Sequence, residues 1–171
     1  MSAKIVWFTG LSGSGKSSIS NFILNILNKK KLKIFQIDGD NFRRNKKYKN
    51  SFSKKNIIKN NLKIINKIKS IEKKYDFILV SVISPILKTR LFAKAFFGKR
   101  YFEVYVYCKI NTLLKRDSKG LYKLAKLGKI KNLIGYKSKI LYEKSKYSKI
   151  IINTDKYSIK KCSTIILKKI L

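Results

Sequence analysis

The sequence has little of the residues that mark several classes of protein. It contains no histidine, one proline and two cysteines among 171 residues. The lack of histidine excludes histidine catalysis, and the separation of Cys108 and Cys162 does not match the spacing of zinc ligands. No apolar stretch approaches the roughly 20 residues that a membrane-spanning helix needs. We therefore expect a globular, cytoplasmic protein with reduced thiols and no membrane partner.

Acidic residues are also scarce, and the resulting charge raises the question of a nucleic-acid partner. Eight Asp and Glu stand against 42 Lys and Arg, which gives a formal net charge of +34. Such a charge is typical of proteins that bind phosphate backbones. The lysines, however, are spread over every segment together with isoleucine and asparagine, as in proteins of AT-rich genomes. We interpret them as a solvated coat that attracts anionic nucleotides, and we predict no nucleic-acid partner; a nucleic-acid-binding protein stays the alternative.

The stretch from Gly10 to Ser17 has the sequence of a phosphate-binding loop. It matches G-x-x-x-x-G-K-[ST], follows the apolar run 5–8 and precedes a helical pattern. In such loops the backbone N–H groups surround the phosphates, the lysine contacts the β- and γ-phosphates, and the hydroxyl binds Mg²⁺. The predicted cofactors are therefore ATP and Mg²⁺. The predicted ATP-binding residues in this stretch are Gly10, Leu11, Ser12, Gly13, Ser14, Gly15, Lys16, Ser17 and Ser18.

Strand and helix patterns alternate along the chain. Predicted strands cover residues 4–9, 32–37, 77–83, 101–107 and 149–153, and predicted helices cover 17–28, 53–71, 86–97, 111–117 and 154–171. This alternation predicts an α/β protein with a doubly wound, five-stranded parallel sheet flanked by helices, which is the P-loop NTPase fold of nucleotide kinases. The length fits one domain, residues 1–171. The basic stretch at about 118–147 contains three glycines and is predicted to form a lid over the phosphates.

Two carboxylates, Asp38 and Asp40, directly follow the second predicted strand. Ligands bind at the carboxyl ends of parallel strands, so either group could hold Mg²⁺ or accept a proton from an acceptor hydroxyl. The alternative is that Asp-Gly-Asp-Asn only forms a turn. The third strand ends in Ser84-Pro85 without the acid of a GTPase or motor ATPase, which favours a small-molecule kinase. The predicted catalytic residues are Lys16, Asp38 and Asp40, and the predicted metal ligands are Ser17, Asp38 and Asp40.

Three arginines lie near these predicted sites in a chain whose cations are mostly lysine. Arg43 and Arg44 follow the two carboxylates and are predicted to bind an anionic group of the acceptor, since a guanidinium can form two parallel hydrogen bonds with it. The alternative is that at least one of them is only solvated. Arg116 is predicted to lie in the lid near ATP, where it stabilises charge or stacks on the base. Its alternative is a surface ion pair with Asp117.

Together these motifs resemble those of the adenylylsulfate kinases, which use ATP to phosphorylate the ribose 3′-hydroxyl of adenosine 5′-phosphosulfate. The resemblance covers nearly the whole chain and rests on residues 7–17, 38–43, 52–53, 83–85, 102–106, 116–122, 142–143 and 153–154. It implies that Asp40 is the base or metal-linked acid beside the 3′-hydroxyl and that Phe52 lies under the acceptor base. The acceptor-binding residues that it implies are Asp40, Arg43, Phe52, Asn60, Ile83, Ser84, Lys119, Gly120, Leu121 and Leu133. A homodimer stays open.

The departures from this family fall in the acceptor half. Where the family has Asp-Arg and Asn-Ile-Arg-Arg, this chain has Asn56-Ile57 and, at residues 60–63, Asn-Asn-Leu-Lys, and Leu133 replaces a phenylalanine. Losing a guanidinium that pairs with an anion costs about 1.5–3 kcal/mol. By these departures the chain resembles the cytidine diphosphoramidate kinases of bacterial capsule pathways, and we expect cytidine diphosphoramidate as the acceptor. The alternative is an adenylylsulfate kinase that makes 3′-phosphoadenylylsulfate for sulfate activation.

Overall fold

The computed structural model describes residues 2–44 and 53–171, in which strands and helices alternate. The strands are β1 (Lys4–Thr9), β2 (Ile34–Asp38), β3 (Phe77–Ser81), β4 (Tyr101–Tyr107) and β5 (Ile150–Asn153). The helices are α1 (Lys16–Lys29), α2 (Gly39–Arg44), α3 (Lys54–Ile71), α4 (Leu87–Phe97), α5 (Ile110–Arg116), α6 (Leu121–Lys126) and α7 (Ile159–Ile170). None of the helices in these described ranges is long and apolar enough to cross a membrane.

The five strands form one parallel sheet in the order β2-β3-β1-β4-β5. β1 lies in the middle, where Phe8 is in register with Ser81 of β3 and Val104 of β4. The predicted five-stranded parallel sheet is therefore confirmed. Because all strands run in one direction, the segments that follow them leave the sheet at the same edge. This is the edge at which α/β proteins bind their ligands.

The central strand β1 is buried on both faces, which explains why its residues are apolar without alternation. Val6 and Phe8 pack with the apolar side chains of α1 and α7, whereas Ile5 and Trp7 pack with those of α3 and α4. Each of these four side chains is 0 % exposed. Since β1 is fixed from both sides, the loop that follows it starts from a rigid base.

A third group of buried apolar side chains joins α5 to the stretch predicted as a lid. It consists of Cys108, Leu113, Tyr122, Ala125 and Leu133, and we call it the third cluster. Part of the stretch at 118–147 therefore forms a helix, α6, and packs against the body of the protein. That the stretch closes over a nucleotide stays a prediction.

Several boundaries differ from the predicted ones, for local reasons. The second strand ends at Asp38 instead of residue 37, and Asp40 lies in the first turn of α2. The Asp38 carboxylate caps this helix, because its Oδ1 accepts the N–H of Asp40 at 2.9 Å. The last helix begins at Ile159 instead of residue 154, because the Ser158 hydroxyl accepts the N–H of Lys161 at 3.3 Å. The third strand ends at residue 81 instead of 83, where its pairing with β1 and β2 also ends.

Candidate functional site

The loop between β1 and α1 has the backbone geometry that phosphate binding needs. Gly13 and Gly15 have φ angles of +74° and +98°, in the left-handed region that favours glycine. At Gly10 a Cβ would lie 2.2 Å from the carbonyl oxygen of Val106, so no side chain fits there. Gly15 precedes α1 and offers no side-chain cap, which leaves the N–H groups of the first turn for an anion. The buried Ser14 hydroxyl has no hydrogen-bond partner among the described residues. The loop therefore fits a phosphate.

Lys16, the first residue of α1, lies over the same loop. Its side chain is largely buried, and its Nζ donates to the carbonyl oxygens of Gly10 at 2.9 Å and of Leu11 at 2.7 Å. These contacts hold the ammonium group next to the N–H groups of the loop. A phosphate in the loop would thus meet a cation and several backbone donors together.

Ser17 and Asp38 bring two oxygen ligands together beside the loop. The Ser17 hydroxyl donates to Oδ2 of Asp38 at 2.7 Å, and Oδ1 of Asp38 accepts the N–H groups that begin α2. Mg²⁺ in phosphate sites uses one or two protein oxygens together with phosphate oxygens and water. A hydroxyl and a carboxylate at hydrogen-bond distance fit that chemistry. The structure thus brings together Ser17 and Asp38, two of the three predicted metal ligands; that they bind Mg²⁺ stays a prediction.

Asp40 lies on α2 and forms an ion pair with Lys119, which precedes α6. The two side chains are 39 % and 45 % exposed, so the pair lies at the mouth of the site and contributes little to stability, about 0–1 kcal/mol. Its location matters more than its strength, because it joins the wall formed by α2 to the stretch predicted as a lid. Asp40 and Lys119 were both predicted for the acceptor side, and the structure brings them together.

Arg116 closes another side of the site, at the end of α5. Its Nη1 donates to the Thr154 hydroxyl at 3.1 Å and its Nη2 to the Thr154 carbonyl at 2.7 Å. Asp117 instead accepts the backbone N–H groups of Tyr122 and Lys123, at 3.0 and 2.8 Å. The alternative of an ion pair between Arg116 and Asp117 is therefore not the observed arrangement.

These side chains surround one cleft of about 530 Å³ at the carboxyl edge of the sheet. The predicted site residues that line it are Ser12, Gly13, Gly15, Lys16, Ser17, Ser18, Asp38, Asp40, Ile83, Arg116 and Lys119. Lining residues that the sequence analysis did not select include Ser81, Val82, Thr154, Tyr157, Ser158 and Cys162. The motif Asn-Thr at the end of the last strand could have indicated Thr154, whereas the residues that follow it show no motif.

The remaining predicted site residues that the structure describes do not line the cleft. Gly10, Leu11 and Ser14 form the loop itself, and Ser84 is buried next to Ile83. Gly120 and Leu121 lie at the start of α6, Asn60 lies on α3, and Arg43 lies in α2. Leu133 is 1 % exposed in the third cluster and does not line the cleft. Phe52 lies outside the described residues.

A phosphate loop after the central strand of a parallel sheet, with an adjacent hydroxyl–carboxylate pair and no acid at the end of β3, defines a P-loop kinase. Comparison with known proteins identifies the family. The chain matches the adenylylsulphate kinase family over residues 2–153. It is 37 % identical to the probable adenylyl-sulfate kinase of Bacillus subtilis over 156 residues, which are 91 % of this chain and 77 % of that protein.

Further comparisons agree. The chain is 34 % identical to the adenylyl-sulfate kinase of Clostridium acetobutylicum over 158 residues, 92 % of this chain and 78 % of that protein. It also resembles the structure of the Mycobacterium tuberculosis APS kinase CysC in complex with AMPPNP and APS, with a TM-score of 0.88, 29 % identity, and coverage of 98 % of this chain and 96 % of that one. The chain belongs to the adenylylsulphate kinase family. It is a phosphotransferase with a hydroxyl group as acceptor and ATP as donor.

Proposed function

We propose that this protein phosphorylates the ribose 3′-hydroxyl of adenosine 5′-phosphosulfate with Mg·ATP. The observation that supports this most is the similarity, over 98 % of the chain, to a kinase whose structure contains AMPPNP and APS. The curated relatives are likewise adenylyl-sulfate kinases. This is the alternative of the sequence analysis, and it replaces cytidine diphosphoramidate as the favoured acceptor.

The residues of the cleft have distinct roles in this reaction. The loop N–H groups and Lys16 bind the β- and γ-phosphates of ATP and stabilise the charge on the transferring group. Ser17 and Asp38 would hold Mg²⁺, which would neutralise charge on the phosphates. Asp40 orients the acceptor hydroxyl and accepts its proton as the new O–P bond forms. Lys119, which pairs with Asp40, holds that carboxylate at the mouth of the cleft before the acceptor arrives.

The cytidine hypothesis rests on residues that differ from the family, and the positions of these residues in the structure support it only in part. Leu133 is buried in the third cluster, so its replacement of an aromatic ring does not reshape the observed cleft. Ile57 and Leu62 lie on α3. Ile57 is half-buried and Leu62 is 38 % exposed, and neither residue lines the cleft. They remain apolar where the family has arginines. That loss of charge is the observation that keeps cytidine diphosphoramidate as the second candidate acceptor.

A direct comparison of the two acceptors tests the proposal. Initial rates with ATP are followed by ADP release, and ³¹P NMR locates the new phosphate. We expect kcat/KM for adenosine 5′-phosphosulfate to exceed that for cytidine diphosphoramidate by about tenfold or more, since one matched contact is worth about 1.4 kcal/mol. Lys16→Ala serves as the inactive control. Faster turnover of cytidine diphosphoramidate would contradict the proposal and support the second candidate.

A further inference from the structure

Arg90 lies on α4, is 0 % exposed and does not line the cleft. Its Nη1 donates to the carbonyl oxygen of Ser84 at 2.5 Å, and its Nη2 donates to that of Glu143. Its Nε lies 3.3 Å from Oε1 of Glu103 on β4, and its guanidinium carbon is 5.1 Å from the ring centroid of Tyr142. We call these five residues the Arg90 cluster. It joins three separate parts of the chain around one buried cation.

Charge alone does not explain an arginine at this place. Burial raises the pKa of Glu103, and the charge of Arg90 opposes that rise. A lysine would also supply a positive charge next to Glu103. The two carbonyl groups, however, need donors that point in two fixed directions, and a planar guanidinium has them whereas a single ammonium on a flexible stem does not. The geometry of the Ser84 and Glu143 carbonyls therefore explains the arginine.

One of these carbonyls belongs to a residue with an unusual backbone conformation. Ser84 has a φ angle of +43°, which residues with a side chain rarely adopt and which persists only where the surroundings hold it. Its neighbour Ile83 lines the cleft. The Ile83 carbonyl accepts hydrogen bonds from the Thr9 hydroxyl at 2.6 Å and from the N–H of Gly10 at 3.3 Å. The turn at 83–84 is thus held by β1 from one side and by Arg90 from the other.

The second carbonyl belongs to the last part of the stretch predicted as a lid. The N–H of Glu143 donates to the Pro85 carbonyl at 2.9 Å, and the Glu143 carboxylate accepts the N–H of Leu87 at 2.6 Å. The Tyr142 hydroxyl lies 2.9 Å from the hydroxyl of Thr9. This end of the stretch is therefore attached to the β3–α4 connection. Arg90 bonds to both attached segments at once.

We propose that Arg90 is a positioning residue for the acceptor substrate. By donating to the carbonyls of Ser84 and Glu143, it holds the wall of the cleft at Ile83 in the conformation that the acceptor meets. The inference rests on the proposed function in one respect, namely that the acceptor nucleotide binds against Ile83. The phosphate loop has its own contacts through Lys16, so affinity for ATP should depend little on Arg90.

The variant Arg90→Lys tests this role, because it keeps the charge and removes the fork of donors. We expect KM for the acceptor to rise by about tenfold or more, while KM for ATP changes by less than about threefold. Arg100→Lys is the matched control, since Arg100 pairs with Glu72 at 2.8 Å and its side chain is 34 % exposed. It should change neither KM. An unchanged acceptor KM in folded Arg90→Lys, or an equal rise of both KM values, would overturn the inference.

The assay uses whichever of the two candidate acceptors the unaltered protein turns over faster. An error in the acceptor proposal then appears in the unaltered protein, whereas an error in the role of Arg90 appears only in the variant.

Hydrogen exchange of the unaltered protein provides a second test that does not depend on the folding of a variant. Peptides that cover residues 82–87 and 141–144 are compared with and without the acceptor. We expect slow exchange already without the acceptor and little change when it binds, because Arg90 holds both segments beforehand. Fast exchange that slows only on acceptor binding would show that the acceptor, and not Arg90, orders this wall.

Discussion

The hydroxyl of Tyr122 donates a 2.8 Å hydrogen bond to the carbonyl oxygen of Ser12 in the phosphate loop. Burial, and next the charge of Asp117, raise the pKa of Tyr122 to about 12. The phenol therefore stays protonated and keeps donating at neutral and moderately basic pH. Since Tyr122 lies on α6, the stretch predicted as a lid contacts the ATP site through its first helix.

We expect Tyr122→Phe to weaken ATP binding and stability together. Loss of this hydrogen bond should lower the free energy of unfolding by about 1 kcal/mol. In a domain of this size that corresponds to a Tm lower by about 2–4 °C. KM for ATP should rise more than KM for the acceptor. Thermal unfolding and initial rates measure the two effects. Tyr147→Phe is the control, because Tyr147 is 60 % exposed and lies outside the cleft. If both variants behave alike, the contact with Ser12 has no role in ATP binding.

Lys16→Ala should reduce kcat/KM by orders of magnitude without unfolding the protein, because in the proposed reaction its ammonium group stabilises the charge on the transferring phosphate. Lys29→Ala is the matched control, since it removes an exposed lysine from the last turn of the same helix. Circular dichroism before and after substitution shows whether the fold is intact. Retained turnover in a folded Lys16→Ala protein would contradict the assignment of this loop.

Asp40→Asn and Asp38→Asn should have different defects, because the two carboxylates have different partners. Asp40→Asn should lower kcat by about 10² or more and leave ATP affinity nearly intact, if Asp40 accepts the proton of the acceptor. Asp38→Asn should instead raise the Mg²⁺ concentration needed for half-maximal rate, since Asp38 lies beside Ser17. Magnesium titrations with each variant measure this. A higher Mg²⁺ requirement in Asp40→Asn, with kcat recovered at saturation, would make Asp40 a metal ligand only.

Gly135→Ala should destabilise the protein more than Gly128→Ala does. Both glycines have positive φ angles, +79° and +75°, so an alanine costs about 1–2 kcal/mol of strain at either position. At Gly135 a Cβ would also lie 2.4 Å from Cδ2 of Leu11, whereas no atom lies within 4 Å of one at Gly128. Denaturant unfolding gives the difference, and KM for ATP should rise only in Gly135→Ala. Equal losses of stability would show that Leu11 moves aside freely.

The sequence predicts best those parts of the site that lie within one continuous segment. The loop from Gly10 to Ser17 has a fixed pattern, and the order of strands and helices follows from periodicity, so both were predicted and are observed. Asp38 ends β2 at the carboxyl edge of the sheet, close to where the apolar run that precedes it predicts the end of a strand. The helix α2 was missed, since six residues are too few for a periodic pattern and its cap is the same Asp38 that was assigned to the metal.

Contacts between distant segments were not predictable in this way. Arg90 has no motif that sets it apart, and its importance arises from carbonyl groups at residues 84 and 143, which only the folded chain brings together. Leu133 was assigned to the cleft by resemblance but packs in the third cluster with Tyr122. A sequence shows that a residue is apolar, whereas the direction in which its side chain points depends on the path of a loop without periodicity.

Trp7 gives the protein a spectroscopic reporter of its own. It is the single tryptophan among ten tyrosines, it is fully buried in the central strand, and its ring centroid lies 6.1 Å from that of Tyr101. In the folded state its fluorescence should be blue-shifted and sensitised by energy transfer from tyrosine; unfolding should shift the emission to the red and reduce the transfer. Because Trp7 lies in the strand that leads into the phosphate loop, this one emission band reports on the part of the molecule that binds ATP.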